Sequence, residues 1–162
     1  MTHLEQLLQV GVLTGSRAFH VATPESDWDI VILESNCKHI EDMNIINDTM
    51  FTNWNHIITS NGKAYWDLSE HPEFEDEFRV EYDKHTIWGP LARIVKYYAP
   101  DSEEIINLFV YEDTHADILP KFIELNELMT FLYGYEIANK QKRIEAFTKI
   151  IKHVGITDLK GA

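Results

Sequence analysis

The chain has 162 residues, enough for one domain with a buried core and no need of disulfide staples. Its 27 Asp and Glu against 14 Lys and Arg give a formal net charge of −13, which disfavours a large nucleic acid partner, because phosphate neutralisation needs cations on the contact face. One cysteine, Cys37, excludes an internal disulfide and points to a reducing, cytoplasmic compartment; no apolar run approaches the ~18 residues of a membrane span. The acid is unevenly spread: residues 1–120 hold 22 acidic and 7 basic side chains, residues 121–162 hold 5 and 7. An acidic body suits metal cations or a basic protein partner, and equally a merely solubilising surface.

In chain order, "HLEQLLQV" predicts a short amphipathic helix with Leu4, Leu7 and Leu8 on one side. "GVLT" and "WDIVIL" predict strands joined by a loop containing Pro24, and "KHIEDMNIIND" a helix after them. Residues 52–90 resist assignment, although "FRVEYD" has the composition of a strand. "ARIVKYY", the turn "APDSEE" and "IINLFVY" predict a hairpin. In "DILPKFIELNELMTFLYGY", Pro120 falls in a first helical turn, and Ile118, Phe122, Leu125, Met129 and Leu132 recur at helical spacing. A second helix after Gly134 carries Ile137, Ile144, Phe147, Ile151 and Val154. The whole reads as one α/β domain, 1–162: a sheet-bearing core over 1–116 and a pair of C-terminal helices over 117–155 packed on it.

The chemistry concentrates in "LTGSRAFHVATPESDWDIVIL". Side chains alternate along a strand, so Asp27 and Asp29 share one face while Trp28 and Ile30 take the other. Two carboxylates so placed repel unless a cation lies between them, and Mg²⁺ prefers carboxylate and phosphate oxygens. Gly15 has no side chain to obstruct a phosphate, and Ser16 adds a hydroxyl. Together these residues predict a metal–triphosphate site.

Gly-Ser, ten residues, then Asp-Trp-Asp is similar to the Gly-Ser-x10-Asp-x-Asp signature of the DNA polymerase β-like nucleotidyltransferases. The chain most resembles their minimal single-domain members, which include small bacterial antitoxin-type enzymes and phage-encoded relatives. The resemblance implies a nucleotidyltransferase fold, a small mixed sheet flanked by helices. It implies that Gly15 and Ser16 hold the phosphates of an NTP, ATP being the expected one, and that Asp27 and Asp29 hold Mg²⁺. The reaction it implies is in-line attack of an acceptor hydroxyl on the α-phosphorus with release of pyrophosphate. The acceptor expected for this acidic chain is a protein side chain or a small molecule.

Arg17, beside the Gly-Ser pair, is a candidate for the triphosphate, or else a surface arginine. On a wheel of the last helix, Ile137, Ile144, Phe147, Ile151 and Val154 form the expected buried stripe, with Lys140 near its centre, Arg143 at its edge and Lys142 pointing away. A lysine there needs an anion or must snorkel to water. Lys140 and Arg143 are therefore candidate nucleotide ligands.

The family's third carboxylate is absent from "IINLFVY", where the polar position is Asn107. Glu104 is an odd number of residues away, and Glu103 and Asp113 lie ~13 and ~20 Å along the strand. Glu81 and Asp83 remain alternatives from another strand. An asparagine among Ile, Leu, Phe and Val suggests either a place in the site or the cap of a backbone irregularity. Its amide can ligate a cation but cannot act as a base, so a second function stands beside the enzyme: a binding module of the same fold that has lost turnover. The eight histidines lack paired zinc spacing. "WNHIITSNGKAYW" reads as core or as a pocket lining, and "EHPEFEDEF" as a solvated loop or a contact for a basic partner.

Overall fold

A computed structural model describes residues 1–43, 56–60, 63–65, 88–99, 101–157 and 159. The chain opens with α1 (His3–Val10), where Thr2 and Glu5 form a reciprocal capping box. Strand β1 (Val12–Thr14) runs straight into a one-turn helix, α2 (Gly15–Ala18). β2 (Trp28–Leu33) leads into α3 (Glu34–Met43), which begins four residues before the expected helix. β3 (His56–Ser60) and β4 (Lys63–Tyr65) fall within the aromatic-rich segment. The expected hairpin is present as β5 (Leu91–Tyr98) and β6 (Ile105–Tyr111). The expected "FRVEYD" strand, Glu81, Asp83 and the acid-rich loop lie outside the described residues.

The strands form one mixed sheet of order β1-β2-β6-β5-β3-β4. Among the described pairs, β2 and β6 run parallel and the others antiparallel. Alternation along β2 and β6 feeds a different apolar cluster on each face. Ile30, Ile32, Ile106, Leu108 and Val110 pack with Leu7 of α1 and Cys37 of α3. Val31, Phe109 and Tyr111 pack under the C-terminal helices. Each such fully buried side chain contributes roughly 1.5–3 kcal/mol through water exclusion, so the central strands are pinned from both sides. Trp88 stacks on Phe109 with ring centroids 4.4 Å apart.

The C-terminal pair is α4 (Ile118–Tyr133) and α5 (Lys140–His153), joined by a 3₁₀ turn over Gly134–Ala138. Ile118, Phe122, Leu125 and Met129 of the expected stripe are wholly buried, but Leu132 is 53 % exposed. Leu8 of α1 is likewise exposed while Leu7 is not. The larger correction concerns α5. Its covered face centres on Ala146, Ile150 and Ile151, and Ile137 is buried from the 3₁₀ turn rather than from the helix. Lys140 shares the wheel angle of buried Ile151, but it is the first residue of α5 and stands exposed at the helix end, so it is not a lysine amid an apolar face.

Candidate functional site

The antiparallel register sets Thr14 of β1 beside Asp29 of β2, and the parallel register sets Asp29 beside Asn107 of β6. On the far flank, Asn107 is registered against Lys96 of β5. One row across four strands thus reads Thr14, Asp29, Asn107, Lys96. Asp29 and Asn107 stand on the sheet face that further along carries Val31, Phe109 and Tyr111.

Asn107 reaches both aspartates. Its Nδ2 donates to Asp29 Oδ1 at 2.8 Å and to Asp27 Oδ2 at 3.1 Å. The orientation of the amide follows from chemistry: turned the other way, its oxygen would face two carboxylate oxygens with no proton between them. Asparagine here does what a cation does in such a site, supplying positive charge density at a point shared by two acids. The expected common face of Asp27, Asp29 and Asn107 is the observed one.

Gly15 lies directly over Asp29. It follows the residue registered against Asp29, and its φ of +71° is a conformation that L side chains rarely adopt. A Cβ at position 15 would overlap Asp29 Oδ2 and stand 3.1 Å from Asp29 Cγ. The glycine is therefore required both by the turn and by the carboxylate beneath it. Ser16 follows half-buried, its carbonyl accepting from the Val21 N–H at 3.0 Å.

Arg17 holds the loop that leads to Asp27. Nη2 donates to the Ser26 carbonyl at 2.8 Å and to the Pro24 carbonyl at 3.4 Å. The guanidinium also lies over the Trp28 ring, 4.2 Å from its centroid. It thus fixes the residues on either side of Asp27, a positioning role that the sequence did not reveal. Arg143 is half-buried, and its Nη1 donates to the Ile137 carbonyl at 3.0 Å, closing the 3₁₀ turn. Lys140 stands at the exposed start of the same helix. The structure brings Gly15, Asp27, Asp29 and Asn107 together; it engages Arg17 and Arg143 with backbone carbonyls.

Asn126 of α4 is the residue that sequence reasoning missed. Its Nδ2 donates to the Leu13 carbonyl at 2.6 Å, and its Oδ1 accepts from the buried Thr14 hydroxyl at 2.9 Å. It ties the helix to the end of β1 immediately before Gly15. A helix-disfavoured asparagine within "ELNEL" was the available signal. Asp113, weighed for the third carboxylate, caps α3 instead: its Oδ1 accepts from the Ser35 N–H at 3.0 Å.

Among the described residues, no three His, Cys, Asp or Glu side chains gather as a metal cluster. The donor set is a pair of carboxylates and one amide, all hard oxygen donors once the amide turns, which fits Mg²⁺ rather than zinc. Both carboxylates already converge on a common point, the Asn107 nitrogen. No helix of the described residues is long and apolar enough to cross a membrane. No protein-family model, curated protein or solved structure matches the chain.

Proposed function

We propose that the chain is a nucleotidyltransferase of the minimal single-domain type, binding an NTP, ATP being the expected one, and transferring its nucleoside monophosphate to a hydroxyl of a protein or small molecule. The observation that carries this reading is the convergence of Asp27 and Asp29 beneath a glycine turn that has no room for a side chain. In this reading the Gly15–Ser16 turn receives the phosphates, and Asp27 and Asp29 hold Mg²⁺. The ion, when bound, supplies charge neutralisation for the triphosphate and for the departing pyrophosphate. Arg17 keeps Asp27 in place by bracing its loop. The acceptor oxygen forms the new bond to the α-phosphorus as the bond to pyrophosphate breaks. The hydroxyl proton passes to solvent or to a group on the acceptor, since an amide at position 107 cannot take it.

Titration with Mg²⁺ and α-labelled ATP tests the reading. Saturable, Mg²⁺-dependent binding is expected, abolished in Asp27→Asn and in Asp29→Asn while folding persists. Unchanged nucleotide affinity in both variants would sink the site. A second reading is favoured by the Asn107 amide, which already occupies the point between the acids: a nucleotide-binding module without turnover. Binding with no pyrophosphate release across a panel of protein and small-molecule acceptors would select it.

A further inference from the structure

Strand β1 is the outermost strand of the described sheet, with β2 beside it on one side alone. It is three residues long and runs straight into Gly15, so the turn over Asp29 hangs from a short edge. An edge strand leaves a row of backbone groups without a strand partner. Asn126 of α4 stands where a further strand would pair. Its amide offers a donor and an acceptor and uses both: the Leu13 carbonyl accepts at 2.6 Å, and the Thr14 hydroxyl donates at 2.9 Å.

Thr14 occupies the N-cap position of α2, where a threonine hydroxyl ordinarily accepts from a backbone N–H of its own turn. It makes no such bond. The residue is 2 % exposed, and its hydroxyl donates instead to a helix 112 positions away. Asn126 is itself firmly placed, four residues after Phe122 and three before Met129, both wholly buried under α4. Thr14 is in turn the residue registered against Asp29. The next residue, Gly15, comes so close that a Cβ there would overlap the Asp29 carboxylate and stand 3.2 Å from Asp29 Cβ. With so little clearance, a shift at the end of β1 is felt by that carboxylate and by the Asn107 amide bonded to it.

We infer that Asn126 is a positioning residue of the site: acting through Leu13 and Thr14, it clasps the end of β1, holds the Gly15–Ser16 turn against Asp29 and so sets how tightly that turn binds the phosphates of a nucleotide. The inference rests on the reading of the turn as the phosphate receiver. It gives helix α4 a part in the site besides covering the core.

Calorimetric titration with MgATP, together with ¹⁵N spectra of the Asn107 side-chain amide, tests it on the full chain. Thr14→Val removes the hydroxyl and should weaken MgATP binding about 10-fold, and Asn126→Ala at least as much. Thr14→Ser keeps the hydroxyl and should bind within about two-fold of the parent. Asn126→Ala with Thr14→Val should bind no more weakly than Asn126→Ala alone, because both residues act through one contact. The Asn107 signals should move in Thr14→Val and keep the parent position in Thr14→Ser, with or without nucleotide. A merely structural tie would lower the melting temperature of Thr14→Val yet leave the affinity of the folded protein and the Asn107 signals unchanged, and that result overturns the inference. So does a Thr14→Ser chain as weak as Thr14→Val. The two Thr14 variants keep the test decisive should Asn126→Ala fold poorly. A parent chain that binds no MgATP would count against the nucleotide reading instead, and the Asn107 signals would then decide the clasp alone.

Discussion

Replacing Gly15 by alanine probes how tightly the glycine turn and the carboxylate pair are joined. Two costs add. The backbone at φ +71° penalises an L side chain by about 1–2 kcal/mol. The new methyl also overlaps the Asp29 carboxylate, which must swing away and give up its 2.8 Å bond from Asn107. A hydrogen bond to a charged group is worth about 1.5–3 kcal/mol, so Gly15→Ala should lose about 3–4 kcal/mol in all. Asp29→Ala removes the carboxylate and leaves only its Cβ, 3.2 Å away, so in that background Gly15→Ala should cost chiefly the backbone part, about 1–2 kcal/mol. Urea denaturation of the four chains of this cycle gives the coupling directly, about 2 kcal/mol if the contact is as described. A coupling below about 0.5 kcal/mol, the range of independent sites, would show that Gly15 and Asp29 do not meet, and the proposed cradle would lose its basis.

Asn107→Asp replaces the shared donor with a third acid, so without Mg²⁺ it should lower stability by about 2–4 kcal/mol; with Mg²⁺ the loss should reverse and nucleotide transfer should appear or quicken, and a thermal melt indifferent to Mg²⁺ would count against a metal role for position 107. Tyr111 is buried and donates to the Trp88 carbonyl at 2.8 Å, so Tyr111→Phe should cost about 1–3 kcal/mol by stranding that carbonyl, measured by urea denaturation. Burial holds the Tyr111 phenol well above its ordinary range, so its absorbance should not change until pH rises well past that of free tyrosine. The Ser35 N–H, together with the Ser35 side chain and nearby Lys38, holds the Asp113 carboxyl below its ordinary value. Its contribution to stability is therefore complete above the ordinary carboxylate range and disappears as pH falls through the lowered pKa. Asp113→Asn should be less stable than the parent at neutral pH, and the gap should close in acid.

The part of the site that depends on short-range alternation was legible in the sequence. A period of two places Asp27 and Asp29 on one face, and the polar gap in "IINLFVY" identified Asn107 as their neighbour. Legibility failed where a helical period was carried to the end of a helix. Lys140 shares the wheel angle of Ile151, yet it is the first residue of α5 and exposed, because the period gives the side of a helix and not whether its end is covered. It failed also for contacts across the chain. Nothing local to Asn126 states that its amide will meet Leu13 and Thr14, and the bond from Arg17 to the Ser26 carbonyl depends on how the intervening loop closes. Leu8 and Leu132 show a further limit: an apolar residue at the margin of a buried stripe stays exposed although it keeps the period.

The parallel pairing of β2 with β6 has a kinetic consequence. Asp29 and Asn107 are separated by 78 positions in the chain, so the row of polar groups cannot exist until a long loop has closed. Loop closure of that length is an entropic toll levied before any contact rewards it, and it slows folding relative to the local helix pairing of α4 with α5. The helical hairpin and the β5–β6 hairpin can form early, each from adjacent sequence, whereas the carboxylate pair meets its amide only when β2 docks beside β6. Any ligand that requires both aspartates and Asn107 therefore binds the finished fold and no partly folded predecessor. Its presence would slow unfolding without hastening folding, a signature that stopped-flow measurements with and without MgATP can read.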